Sequence, residues 1–271
     1  METEVHVYAF AMAASVLLSL FPFLNVILSL CRHVLHWNAA VEAVNLALSD
    51  YFPGQVGEFI RYNVMVAVRD HRFQAGSLLL LLFVANGVFE PLEVALNRAW
   101  GTAKNRPYWR NQLISLGLIF ACGTLALLSM VFTALNYSIW PRMLGQHSPI
   151  VETLGLVFFK MAAIPLSILA LFLVYWLLPN RKIPPARVAP AAIVVGLTLE
   201  ALKYINLLVW PVLMVKLQHE YGPFYYSAFI VLFSFFAAMV VLAGAEWSAR
   251  GGAGDCAPPR ELGRLNVSRA E

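Results

Sequence analysis

Glu200 and Lys203 stand three residues apart inside 188–210, a stretch that is otherwise almost wholly apolar. That spacing puts both on one face of a helix, where a carboxylate and an ammonium can neutralise each other. Such a pair can contact a solute or ion in a cavity, or it can serve as an internal ion pair that fixes helix packing. The second reading is favoured, because buried pairs often serve specificity rather than chemistry. Beyond this pair, the residue types that carry catalysis are dispersed. No paired acids flank a nucleophile, no His and Asp cluster forms, and neither a phosphate-cradling glycine loop nor a dinucleotide fingerprint is present. The six histidines, His6, His33, His36, His71, His147 and His219, are scattered over polar segments. His33 and His36 could share a helix face, but two ligands alone make a weak metal site. Cys31, Cys122 and Cys256 give an odd count without metal or disulfide spacing. The expectation is a protein that is not an enzyme, has no metal or cofactor and binds no nucleic acid. An RNA-cleaving site would need clustered metal ligands and an exposed basic groove.

The elements that must position the pair follow from composition. Sixty per cent of the 271 residues are hydrophobic and 13% charged, whereas a soluble domain carries about a quarter charged residues. The apolar residues fall in long blocks, and a helix needs about 20 of them to cross a bilayer core. Six stretches meet that length, at 7–30, 75–96, 113–135, 154–178, 188–210 and 224–247. The expected fold is therefore all-α: a polytopic membrane protein with six transmembrane helices in a domain at 1–249. Residues before the first stretch are Met1, Glu2, Thr3 and Glu4, so it reads as a retained span rather than a secretion signal, which would open on basic residues. Residues 250–271, rich in Gly and Pro among scattered charges, read as a disordered cytoplasmic tail.

Between the first two stretches, Val56, Phe59, Ile60 and Val64 recur at helical spacing opposite Glu58 and Arg61. That pattern predicts an extracytoplasmic amphipathic helix over 55–70, lying on the outer surface of the bilayer or packed over the bundle's outer mouth. Glu200 falls about 12 residues into its span, or roughly 18 Å at 1.5 Å per residue, close to mid-membrane. Lys160 stands near a span end and can snorkel, and Pro165 should kink its helix. Glu90, Glu93 and Glu246 sit near span ends where basic loops can meet them.

Charge gives the orientation. With a cytoplasmic amino terminus, that side carries eleven basic residues, Arg98, Lys104, Arg106, Arg110, Arg181, Lys182, Arg187, Arg250, Arg260, Arg264 and Arg269, against six on the other. Both termini are thus expected in the cytoplasm, with the chain in a bacterial inner membrane. The expected partners are the lipid bilayer, a small solute and anionic lipid, whose head groups suit the basic loops.

Several short motifs, in order and at consistent spacing, resemble the YihY/virulence factor BrkB family of bacterial inner-membrane proteins. Ser19-Leu20-Phe21-Pro22 in the first stretch is similar to the family's SLFP, and Ala95-Leu96-Asn97-Arg98 to its ALNR turn. Leu178-Pro179-Asn180-Arg181-Lys182 resembles its LPN-plus-basic element. Glu200 with Lys203 matches its ExxK, Tyr221-Gly222 its YG, and Gly244-Ala245-Glu246 its GAE. Phe233 and Phe235 stand where the family usually has a Trp and a Tyr, and the usual basic lead-in before the first span is absent. The resemblance implies a six-helix inner-membrane protein of unsettled role, with transport often suggested and an old ribonuclease BN label regarded as mistaken.

Overall fold

The structure, a computed structural model, describes residues 5–29, 31–32, 36, 38–69, 88–102, 107–144 and 164–250. Every regular element among them is helical: α1 (Val5–Ser29), α2 (Asn38–Tyr51), α3 (Gln55–Arg69), α4 (88–99), α5 (Tyr108–Leu144), α6 (Ile164–Leu177), α7 (Pro185–Tyr221) and α8 (Tyr225–Ala249), with one 3-10 turn, Gly222–Phe224. Among the described residues, three helical stretches are long and apolar enough to cross a membrane: Val5–Ser29, Trp109–Ser129 and Pro185–Ala249. The third doubles back, because α7 and α8 pack against each other. Of the six expected spans, 75–87 and 154–163 lie outside the described residues, as do Lys160, Cys256 and the tail beyond Arg250. What is described of the second and fourth spans is α4 and the apolar but shorter α6.

The helices outrun the hydropathic stretches that predict them, and the caps say why. Helix α7 starts at Pro185, after Pro184 in extended conformation; a first-turn proline forfeits only a backbone donor that has no helical partner. It continues past Trp210 to Tyr221, and Gly222 ends it with φ 52°, its N–H donating to the Gln218 carbonyl. The Tyr221-Gly222 motif is thus the stop between α7 and α8.

Helices α1 and α7 both pack on α8, α2 packs on α5 and on α7, and α3 packs on α1. Gly244 allows the closest approach: a Cβ there would lie 2.1 Å from Val195 Cγ2 and 2.8 Å from the Tyr175 hydroxyl. That hydroxyl donates to the Val241 carbonyl at 2.7 Å from a fully buried ring, so α6, α7 and α8 meet at one point. Two apolar cores result. One, at the end of the bundle carrying Arg98, Arg181, Lys182 and Arg187 (the basic end), joins Ala9, Leu96, Tyr175, Val195, Ala238 and Leu242. The other, at the far end, joins Leu28, Val44, Val56, Ile60, Trp210 and Phe229.

The amphipathic helix forms as α3, Gln55–Arg69, and Val56, Ile60 and Val64 are its buried stripe. Of the two expected placements, its burial against other helices agrees with packing on the bundle. A second helix, α2, precedes it, and the turn between them, with Gly54 at φ 61°, brings the tip of the hairpin against Trp210 of α7. The amphipathic stripe reflects burial among helices, which has the same period as burial against lipid.

Gly244→Ala is expected to cost about 1–3 kcal/mol through overpacking, while Gly117→Ala in α5, with open space around it, should be neutral or stabilising. Unfolding of the purified variants in mixed micelles, followed by circular dichroism, checks the contrast.

Candidate functional site

Helices α7 and α8 run antiparallel. Val195 lies against Gly244, and Trp210 meets Phe229 edge-on with ring centroids 4.8 Å apart, so a step along α7 matches an equal step back along α8. This register sets Lys203 level with Phe235 and Phe236, close to the middle of the 25-residue α8. Asn206 falls level with the buried Ser234. The fully buried members of the two apolar cores stop on either side of this level, at Val195 and Ala238 on one side and at Trp210 and Ile230 on the other, with the half-buried Leu199 and Phe235 extending the first core and Phe233 the second. Between them lies a layer with polar and charged groups: Lys203, Asn206 and Ser234, all more than nine-tenths buried, with Glu200 and Tyr51 at its edge.

Lys203 donates a hydrogen bond to Glu200, and the two form an ion pair. Side-chain exposure is 8% for Lys203 and 20% for Glu200. The ammonium also lies 5.4 Å from the centre of the Tyr51 ring and 5.0 Å from that of Tyr204, within range of cation–π attraction. Tyr51 is the last residue of α2. Its carbonyl is one of the helix-end acceptors left without an intrahelical donor, and Asn206 Nδ2 supplies one at 3.3 Å. The negative end of the α2 dipole is thereby turned toward the α7 face that carries Lys203. The hairpin is anchored further out: the Tyr225 hydroxyl donates to Gln55 Oε1 at 2.8 Å, and Phe59 stacks on Tyr226 at 4.5 Å.

The remaining motif residues fall into separate places. Phe21 meets Phe59 edge-on at 6.4 Å, and Pro22 is buried within α1. At the basic end, Asn97 on α4 joins two motifs far apart in sequence. Its Oδ1 accepts from the Asn180 backbone N–H at 2.7 Å, and its Nδ2 donates to Glu93 at 3.4 Å. Arg181 reaches the Trp100 carbonyl at 3.5 Å, which leaves Arg98 and Pro179 flanking the same junction. Glu246 pairs with Arg250 one helical turn on, at the end of its own helix. Phe235 packs on Phe10 at 4.3 Å and Phe233 lines the far core, so apolar contacts occupy both departures from the motif. Among the described residues no three His, Cys, Asp or Glu side chains gather as metal ligands. A shallow groove of about 560 Å³ on α7, lined by Pro211, Val212, Val215, Lys216, His219 and Glu220, lies beyond the pair toward the far end.

Sequence reasoning found Glu200 and Lys203 but missed Asn206, Tyr51 and Ser234. Asn206 continues the i, i+3 series on the same face and could have been read from spacing. Tyr51 could not, because its place depends on the fold of the hairpin.

The family profile described as virulence factor BrkB matches residues 1–254, nearly the whole chain. The chain belongs to the virulence factor BrkB family. Within the related UPF0761 membrane proteins, it is 24% identical over 250 residues to one from Acinetobacter baylyi, covering 89% of this chain and 57% of the relative. It is 25% identical over 254 residues to one from Chlorobium chlorochromatii, covering 90% of this chain and 56% of the relative. The chain thus spans less than three fifths of the length of these curated BrkB relatives. No solved structure matches.

Removing one member of the pair should strand the other. Glu200→Gln and Lys203→Met are each expected to destabilise, by about 3–5 kcal/mol where the remaining charge stays fully buried. The double variant should recover much of the loss, giving a coupling energy well above the error of a double-mutant cycle. At the basic end, Asn97→Ala leaves the Asn180 N–H without its acceptor and should cost about 1–3 kcal/mol. Denaturant titrations of each variant measure both effects.

Proposed function

We propose that the chain is a membrane permeation protein, a secondary transporter for a small or amphipathic solute, with Glu200 and Lys203 in an occluded binding layer. The single observation that carries this reading is the polar layer itself, set at the middle of α8 and closed on both sides by separate apolar cores. Alternating-access carriers place solute sites near the midplane between two gates and build them from helix ends that stop inside the membrane. The end of α2 at Tyr51 suits that role, and the polar groups beside it suit a solute that must shed water. The orientation that fits the charge pattern sets the basic end in the cytoplasm of a bacterial cell, with the inner membrane as its site. On this reading α2 and α3 form a re-entrant hairpin dipping from the outer side.

A second reading is favoured by a different observation. At the basic end, Arg110, Arg181, Lys182 and Arg187 are exposed, and the buried Trp100 Nε1 and Thr102 Oγ1 have no hydrogen-bond partner among the described residues. Anionic lipid head groups would suit such donors, as in an envelope component that organises lipids without transporting anything.

Purified protein reconstituted in vesicles, screened against small organic anions, cations and zwitterions, separates the readings. The transport reading expects a solute flux that falls at least tenfold in Glu200→Gln. No flux that depends on Glu200, combined with lipid retained in native mass spectrometry, would favour the second.

A further inference from the structure

Taking the polar layer to be the solute site, as proposed above, its charges restrict what it can carry. We infer that the layer binds a small organic monoanion together with one proton, the proton on Glu200 and the anion on Lys203.

Among the described residues the layer holds one cation and one carboxylate. The groups that face them are Tyr51 from α2, Tyr204 and Asn206 from α7 itself, and Ser234 at the same level of α8, none of which is charged near neutral pH. Counted over the described residues, the empty site is therefore neutral. An anion entering alone would leave a net negative charge buried where the dielectric is low, and a cation entering alone a net positive one. Either must come with a compensating proton change.

The geometry selects the anion. Lys203 is the more deeply buried partner and is held by two aromatic rings as well as by Glu200. Glu200 is the more exposed and has Lys203 as its hydrogen-bond partner. It is the group free to withdraw. When its carboxylate takes a proton from water, its charge disappears, and the hydrogen bond from Lys203 passes to the incoming anion. The site is neutral before and after, with one ammonium balanced first by Glu200 and then by the anion. On release the anion departs, Glu200 returns its proton to water, and the pair closes again. The cycle moves one proton with each monoanion and no net charge.

This linkage is reciprocal: a proton that raises anion affinity must itself be bound more tightly when the anion is present. The test is isothermal titration calorimetry on the full chain in detergent, with methanesulfonate and benzenesulfonate as probes, since both stay anionic across the working pH. Buffers of different ionisation heat report the protons taken up. Wild type should take up close to one proton per anion wherever Glu200 starts ionised, its affinity weakening by about tenfold per pH unit there. Glu200→Gln, which mimics the protonated acid, should bind at least tenfold tighter at high pH, with no proton uptake and no pH dependence. Lys203→Met and the double variant should not bind, and the double variant serves as the better folded of the two. Binding without proton uptake in wild type, equal binding by the double variant, or no binding of either probe would overturn the inference. Proton-linked binding without flux in vesicles would sustain this inference and remove the transport reading. Flux of a cation alone would do the opposite.

Discussion

A charge cannot be left alone in an apolar interior, and much of this fold is arranged around Lys203, a place where that constraint is met. Lys203 sits between two hydrophobic cores, far from either end of α7. Its neutralisation takes Glu200 from the same helix face and two aromatic rings, one of them from a different helix. The ring from α2 is available only because the hairpin of α2 and α3 reaches inward to Asn206. In turn, Asn206 donates to a carbonyl at the end of α2, one of the acceptors that a helix end leaves over. The charge and the hairpin therefore stabilise each other.

The two cores on either side have different makers. At the basic end, Gly244 lets α8 approach α6 and α7 closely, and the Tyr175 hydroxyl closes the contact onto a backbone carbonyl. Asn97 ties the loop after α6 to α4 with a side-chain acceptor, across 83 residues of sequence. At the far end aromatic rings dominate, in two groups: Trp210 and Phe52 both meet Phe229, and Phe59 and Tyr225 both meet Tyr226. At the basic end a Cβ at position 244 would overlap Val195, so the close helix crossing there depends on the absence of a side chain.

How much of this was legible in the sequence depends on whether the signal is local. Hydropathy located α1, α5, α7 and α8, because burial in lipid and burial in a bundle both demand unbroken apolar runs. The amphipathic period located α3, and the three-residue spacing joined Glu200 to Lys203. Helix α2 was missed because 38–51 has a weak pattern, a narrow stripe of Val41, Val44 and Leu48 among Ala, Asn, Glu, Ser and Asp, and it packs on α5 and α7. The meeting of Asn97 with Asn180, and of Tyr51 with Lys203, are long-range consequences of how helices cross. Spacing within one segment carries no information about them. The roles of Gly222 and Gly244 lie between these cases: a glycine that ends an apolar block reads as a stop, but one that permits a close approach is known only once its neighbour is placed.

The central claim is that the hairpin of α2 and α3 enters the apolar depth of the membrane and meets the charged pair there. The most direct measurement is the depth of a spin label at Ser49, an exposed position near the hairpin tip, in the reconstituted chain with its native cysteines replaced. Collision rates with oxygen, which concentrates in hydrocarbon, are compared with those of a water-soluble nickel chelate. The account predicts that oxygen dominates, at a depth well inside that of a label at the exposed Tyr62 further along α3. Nickel access at Ser49 equal to that at Tyr62 would contradict it, and would place the hairpin at the surface of the bilayer.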